Sequence, residues 1–404
     1  MVSDHKIWQG SSSRWRAVRR GAWIVLAVAA CVERITAPGA CPDYCPAEDI
    51  VAIDTVLTSV VVGDSSFRGY RNQFAAGSLH LVPIGTPHQA VGVVRFSTFL
   101  ARLDGNGDTV LVQDSFGLTV TVRRRAPGAT GLELAVYRLP DWADSTVTLT
   151  QLLPWFDDST LLAVAAVPDT LSDGQNLHVT MDSLALLPEI RARQAPVLGL
   201  ALRAPGETFL NVGSIEAAST ATLARYVESD STSAIVDGAT ATFDTFVIDD
   251  PPALTADVLT IGGVPSARAV LRMDLPRSII DSAEISRATL ILVPSEPIDG
   301  VLSDSIELRA APVFTDVGRK SPAIDQLATR LGQLALDAGS ADSVFLEITE
   351  ILRQWRVAPE LPRTLVLWVS PEASGTLQVR FWSSQGLSAP GLRLTYIPPV
   401  RSGQ

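Results

Sequence analysis

Cysteine, histidine and long apolar runs are what this sequence has least of. Three cysteines and four histidines in 404 residues leave little material for a metal centre or a nucleophilic active site. No HExxH, GxSxG or CxxC motif is present, and Gly262-Gly263 is followed by neither a helical pattern nor a lysine, which excludes a phosphate loop. Lysine and arginine number 32 against 43 acidic residues, a net charge of −11. A chain this acidic, with no basic stripe, repels phosphate backbones, so nucleic acid is excluded as a partner. After the first thirty residues no stretch approaches the roughly 20 uninterrupted apolar residues that a spanning helix requires. What is present is an ordinary supply of core: 47% hydrophobic and 19% charged residues, enough to exclude wholesale disorder. Single cores stop growing at roughly 250–300 residues, so this length suits two domains.

The amino terminus stands apart. Arg14, Arg16, Arg19 and Arg20 precede the apolar run Gly21–Ala30 (GAWIVLAVAA), and small residues then lead into Cys31. Residues 1–30 read as a signal peptide. Val28-Ala29-Ala30-Cys31 also resembles a bacterial lipobox, with Cys31 as the lipidated residue, which makes residues 31–49 a tether and the membrane a partner through the lipid anchor. The chain is then expected to be exported and membrane-anchored, in the periplasm or on the cell surface. In that compartment Cys41 and Cys45 of CPDYCP are expected to form a local disulfide.

From Ile50 onward the texture is that of short β-strands. Apolar and β-branched runs such as SLHLVPI, LTVTVRRR, LELAVYRLP and VLGLALR are separated by turn clusters every eight to twelve residues. Asp104-Gly105-Asn106-Gly107-Asp108 sits between two such runs as a hairpin turn. It begins like a calcium loop, but Thr109 and Ser115 stand where an EF-hand has glycine and glutamate. A structural calcium there is the minor reading, and no other cofactor or metal is expected. Two segments read as packing helices. One starts at Ser321-Pro322 and carries Ile324, Leu327, Leu331 and Leu334 to a stop at Gly339; the other is TEILRQW, Thr349–Trp355.

The strand pattern occurs twice. Thr180 matches Thr349, Tyr226 matches Tyr396, and Glu133-Leu134 matches Glu307-Leu308, all near one spacing. A period this long means duplicated domains. The expected fold is therefore all-β: two tandem antiparallel jelly-roll β-sandwiches, residues 50–228 and 229–400, divided at the polar break Glu228–Thr232.

In the second copy, ARAVLRMDLP (Ala267–Pro276), AEISRATLILVP (Ala283–Pro294), LEITEILRQW and VRFWSSQGLSAPGLRLTY resemble, in order, the strands of the DNRLRE-domain family. The resemblance implies β-sandwiches on bacterial surfaces and in secreted proteins, some like carbohydrate-binding modules, with Trp355 in the core.

Catalytic constellations are scarce. His80, His88 and His178 have no carboxylates at metal-ligand spacing, and the chain is not expected to be an enzyme. Sugar binding would use aromatic faces, which offer apolar area with a polar edge. Trp142 and Trp155 lie in the Pro- and Asp-rich segments RLPDWAD and LPWFDD, so Trp142, Trp155, Asp157 and Asp158 are the candidate ligand-binding residues. The reading is an exported lipoprotein of two non-catalytic sandwiches acting in structure or interaction at the envelope, with an envelope protein as partner. The alternative is a polysaccharide-binding surface lipoprotein, and a polysaccharide hydrolase or lyase is third.

Overall fold

Alternation in the sequence becomes alternation in burial. In β8 (Asn176–Asp182) Leu177, Val179 and Met181 point inward while the residues between them are exposed, as the two-residue period of a strand requires. The computed structural model describes residues 51–99, 115–182, 184–229, 233–324 and 332–399. Cys31, Cys41, Cys45 and the Asp104–Asp108 turn lie outside them.

The first copy contains β1 (Ile53–Leu57), β2 (Val61–Arg68), β3 (Ser78–Leu81), β4 (Ala90–Phe96), β5 (Ser115–Arg125), β6 (Glu133–Arg138), β7 (Leu161–Ala166), then β8, β9 (Val197–Arg203), β10 (Leu210–Gly213) and β11 (Thr222–Ser229). The second contains β12 (Ser233–Ile248), β13 (Val258–Gly262), β14 (Ala267–Met273), β15 (Glu284–Leu292), β16 (Ser305–Pro312), β17 (Gln333–Asp337), β18 (Val344–Glu347), β19 (Thr364–Ser370), β20 (Gln378–Trp382) and β21 (Gly391–Ile397). All named pairings are antiparallel. One ladder of ten strands runs β3-β10-β5-β11-β12-β4-β9-β6-β7, with β8 on β5. It folds over a single core that includes Phe96, Phe116, Leu134, Leu200 and Phe246. The other sandwich has a four-stranded sheet, β1-β21-β15-β18, and a seven-stranded sheet, β17-β16-β19-β14-β13-β20 with β2 on β14. Its core includes Ile261, Leu290, Leu308, Trp355 and Phe381. Two antiparallel β-sandwiches are what the strand spacing predicts.

The duplication is visible in register. Leu118 lies between Val179 and Leu223, and Leu290 lies between Leu346 and Leu392; all six are buried. Glu133 is opposite Arg203 and Glu307 opposite Ser370, so that sequence match is positional. The two other landmarks are displaced. With Val179 aligned on Leu346, Thr180 falls on Glu347, and Thr349 instead opens the helix Thr349–Val357. With Leu223 aligned on Leu392, Tyr226 falls on Thr395, one residue before Tyr396.

Two further expectations are corrected. The sheets do not divide at residue 228: β12 pairs with β11 and β4 of the first copy, whereas β1 and β2 pair with β21 and β14 of the second. The helix expected from Ser321-Pro322 to a stop at Gly339 is not formed at its ends. Ala323 bridges Val313, and Leu334 and Leu336 belong to β17, paired with β16. The apolar positions that fit a helical period there fit a strand period at its end, and a neighbouring edge that needs hydrogen bonds decides between them. The second predicted helix is present. Its Ile351, Leu352 and Trp355 face the core, and the Thr349 hydroxyl accepts from the Ala288 amide at 2.7 Å.

Leu290→Ala is expected to destabilise the protein by about 2–5 kcal/mol, because a completely buried leucine leaves a cavity. Phe345→Ala, on the exposed outer face of the same sheet, should stay within about 0.5 kcal/mol of wild type. Urea denaturation of both variants checks the pair.

Candidate functional site

The loop joining β6 to β7 carries both candidate tryptophans, and it is built as a third layer. Its Ala143, Val147, Leu149 and Leu152 pack on Val91, Val93, Ala135 and Val197 from the outer face of β4, β6 and β9. This is why β4 and β9 read as nearly continuous apolar runs: both faces are covered. Arg95, at the end of β4, donates through Nη2 to the carbonyls of Asp141 (2.7 Å) and Ala143 (3.0 Å), clamping the backbone on either side of Trp142. Asp144 closes the next turn by accepting from the Thr146 amide and hydroxyl at 2.8 and 2.7 Å. The Gln151 side chain accepts from the Thr148 amide at 2.9 Å, which fixes the start of the short helix Leu149–Leu152.

Trp155 ends a single 3-10 turn after that helix, and its carbonyl accepts from the Thr160 hydroxyl at 2.6 Å. The neighbouring Phe156 anchors it from below. Phe156 meets Tyr137 edge-on at 5.0 Å between ring centres and rests on Gly199, where a Cβ would come within 2.9 Å of the ring. Gly199 is therefore glycine because of close approach. Arg203 donates to the Tyr137 hydroxyl at 2.7 Å and lies over its ring.

The result brings two of the four candidates into contact across thirteen residues of chain. The Trp142 and Trp155 rings lie 6.4 Å apart with planes at 72°, forming a corner. Trp142 is 48% exposed and Trp155 half-buried. Asp157 and Asp158 are exposed on the same loop, but they differ in what they can offer. Asp157 Oδ1 accepts from the Ser159 hydroxyl and amide, both at 2.6 Å. The Ser159 hydroxyl, then its amide, hold the Asp157 carboxyl below its ordinary range. Asp157 is thus a turn former, and Asp158 shows no such tie. Perpendicular indoles flanked by carboxylates can stack the apolar face of a sugar ring and accept from its hydroxyls. Asp144, like Asp157, is held below its ordinary range by hydrogen bonds within its own turn, from the Thr146 amide and then its hydroxyl. Of the other described tryptophans, Trp355 is in the core, Trp368 is buried under Arg268, and Trp382, at the end of β20, is half-buried.

The spacing of the histidines points to no site, yet the structure gives all three described ones partners, His178 through Nδ1 at 2.8 Å from the Thr119 hydroxyl. His80 is fully buried, with Nδ1 2.7 Å from Asn211 Oδ1, and burial pushes its pKa down. His88 stands between Glu207 (Nδ1 to Oε1, 3.0 Å) and Asp299 (Nε2 to Oδ1, 2.8 Å), which belong to different sandwiches. Only the imidazolium can donate to both. A cavity of about 190 Å³ adjoins it, lined by Gln89, Asp249, Asp250, Thr376 and Gln378 among others. Among the described residues no group of three or more His, Cys, Asp or Glu is placed to hold a metal ion.

No protein-family model matches the chain, and no curated protein matches it. The likeness to the DNRLRE-domain family therefore rests on the quoted residues alone. Among solved structures, the chain is compared with the N-terminal CBM22-1–CBM22-2 tandem domain from Paenibacillus barcinonensis Xyn10C at 9% identity and a TM-score of 0.15, covering 84% of this chain and 99% of that one.

Asp299 first, then Glu207, raise the pKa of His88 against its burial, and His88 in turn lowers that of Asp299. The histidine's contribution to stability is thus complete below its ordinary value near ~6.5 and is lost as pH rises through the elevated native pKa. That of Asp299 is lost in acid. Wild type should lose stability relative to His88→Gln as pH is raised from about 5 to about 9, measured by urea denaturation across that range.

Proposed function

We propose that this chain is an exported, lipid-tethered and non-catalytic binding protein of the bacterial envelope, and that the ligand is a sugar polymer held at Trp142 and Trp155. The observation that carries the proposal is the indole corner itself. A 48%-exposed tryptophan is packed against a second one, and its backbone is clamped on both sides by Arg95. An exposed indole held still by packing and hydrogen bonds costs little entropy when a sugar stacks on it. The tether and lipid at Cys31 come from the leader pattern and would hold this corner near the surface where such polymers lie.

A second reading, a spacer or protein-interaction module, is favoured by the outer face of the four-stranded sheet. Phe345 and Val56 are exposed there, among the Arg393–Asp54 and Arg287–Glu347 ion pairs. A groove of about 350 Å³ runs between Phe345, Arg287 and Arg393.

Affinity electrophoresis in gels containing soluble xylan, β-glucan or mannan tests the first reading. Wild type should be retarded by at least one of them, and Trp142→Ala and Trp155→Ala should each weaken binding about tenfold or more, a loss of roughly 1.4 kcal/mol. No retardation by any of the three, or equal retardation of the variants, would reject the corner as the site. Cys31→Ser should move the protein from the detergent phase to the aqueous phase in detergent partitioning.

A further inference from the structure

The strands that cross between the two copies are equivalent to each other. β2 lies along β14 from Arg68 opposite Ala267 to Gly63 opposite Arg272, then shifts register to set Val61 opposite Met273. The second half of β12 lies along β4 from Ile248 opposite Ala90 to Phe243 opposite Arg95, then shifts to set Ala241 opposite Phe96. The bulge falls at the same place in both, at Val62 and Thr242. Beyond it, β1 continues onto β21, and the first half of β12 continues onto β11.

Polar contacts repeat the match. Asp64 accepts from the Ser384 amide at 2.7 Å, and Asp244 accepts from the Ile215 amide at 2.9 Å. Each aspartate lies four residues before the last residue of its strand. The serines before those amides repeat as well: Ser383 donates to the Ala256 carbonyl at 2.8 Å and Ser214 to the Ala76 carbonyl at 2.7 Å. In chain order β1–β2 precede β3 and β4, just as β12 precedes β13 and β14. Each copy therefore sends its first strand to close the other copy's sandwich.

A strand held this way makes the same contacts whichever chain supplies it. We propose that the surface along β14 and β21 is an interface for a second copy of this chain, whose Ile53–Arg68 enters it in place of the resident segment. The surface recognises its occupant by four features: an edge of backbone donors and acceptors along β14, a second edge along β21, the Ser384 amide that takes Asp64, and the Arg272–Met273 step that takes the bulge at Val62. The connection that must open is short. Residues up to Arg71 are held by the second sandwich, through the Gly69 amide to the Ser266 carbonyl and the Ser266 amide to the Arg71 carbonyl, at 3.0 and 2.8 Å. Ala76 is already held by Ser214 of the first. Only Asn72–Ala75, a single 3-10 turn with its preceding residue, need change for the strand to reach a neighbouring chain. Linkage within one chain favours the closed form when dilute, and concentration favours the exchanged one.

Two measurements on the full-length chain test this, with Cys31, Cys41 and Cys45 changed to Ser. In the first, one batch carries Asp54→Cys and another Thr395→Cys, positions opposed in the β1–β21 ladder. Unfolded together, refolded together and oxidised, they should give a disulfide-linked band of twice the chain mass that grows with protein concentration during refolding. Val56→Cys with Arg393→Cys, also opposed, repeats the test at a second position, and Asp54→Cys with Phe345→Cys, which are not opposed, should give no such growth. Refolded chains that show no mixed band at any concentration with either opposed pair would overturn the proposal. In the second, a protease site inserted between Ser229 and Ser233 is cut in the folded protein. The two pieces should stay together until denaturant is added, since each contains a strand of the other's sandwich. Separation under native conditions would overturn the exchange itself.

Discussion

A β-sandwich is closed only when the strand that spans its two sheets is in place, and this constraint governs the rest of the molecule. In the first sandwich that strand is β12, whose sixteen residues pair with β11 in one half and β4 in the other. In the second it is β1 and β2 together. An unfilled position would leave two rows of backbone amides and carbonyls without partners, next to a core that excludes water. The polar bonds from Asp64 and Asp244 to backbone amides fix the register of each spanning strand, because a slip of one residue would turn its inward side chains outward. Burial raises the pKa of Asp244 to about 6, against the lowering effect of the Ile215 amide. A buried carboxylate held this way favours register more than stability.

Much of this was legible in the sequence because it depends on local pattern. Alternating runs such as NLHVTMD and the turn residues between them give strands, and Glu133-Leu134 and Glu307-Leu308 mark positions that prove equivalent. The landmarks that failed did so for physical reasons. Thr180 is exposed, whereas Thr349 is buried and opens a helix, so shared identity there reflects the small menu of residues suited to strand ends. The core triads Leu118, Val179 and Leu223 and Leu290, Leu346 and Leu392 are the true correspondence, but their side chains are too common to stand out. No local pattern reports which copy a strand closes. The exchange shows only in pairings between residues far apart in sequence, such as Arg68 with Ala267.

The candidate site was half legible. Proline and aspartate around Trp142 and Trp155 signal exposed loops, and both tryptophans do lie on one. That they meet depends on Arg95, Phe156 and Gly199, none of which carries a motif. Gly199 within VLGLALR was the available clue, since a glycine inside a strand marks a close approach of some other group. His88 carries no sequence signal because its partners are distant along the chain; Glu207 and Asp299 are 119 and 211 residues away.

The two copies differ on the outer face that carries the candidate residues. Val91 and Ala201 of the first correspond by register to Arg268 and Trp368 of the second. Small apolar residues at these positions let the β6–β7 loop lie flat on the sheet and present its tryptophans at the rim. In the second copy Arg268 binds Glu372 through two bonds of 2.8 and 2.6 Å and lies over the Tyr70 and Trp368 rings, filling the same area with a charged network. Arg95 and Arg272 occupy one strand position and reach equivalent loops, Arg95 the one after β6, at the carbonyls flanking Trp142, and Arg272 the one after β16, at the Asp316 carboxylate. The scaffold is thus duplicated while the aromatic corner is not. One copy presents the paired tryptophans, and the other holds the strand that joins the chain to its amino-terminal segment.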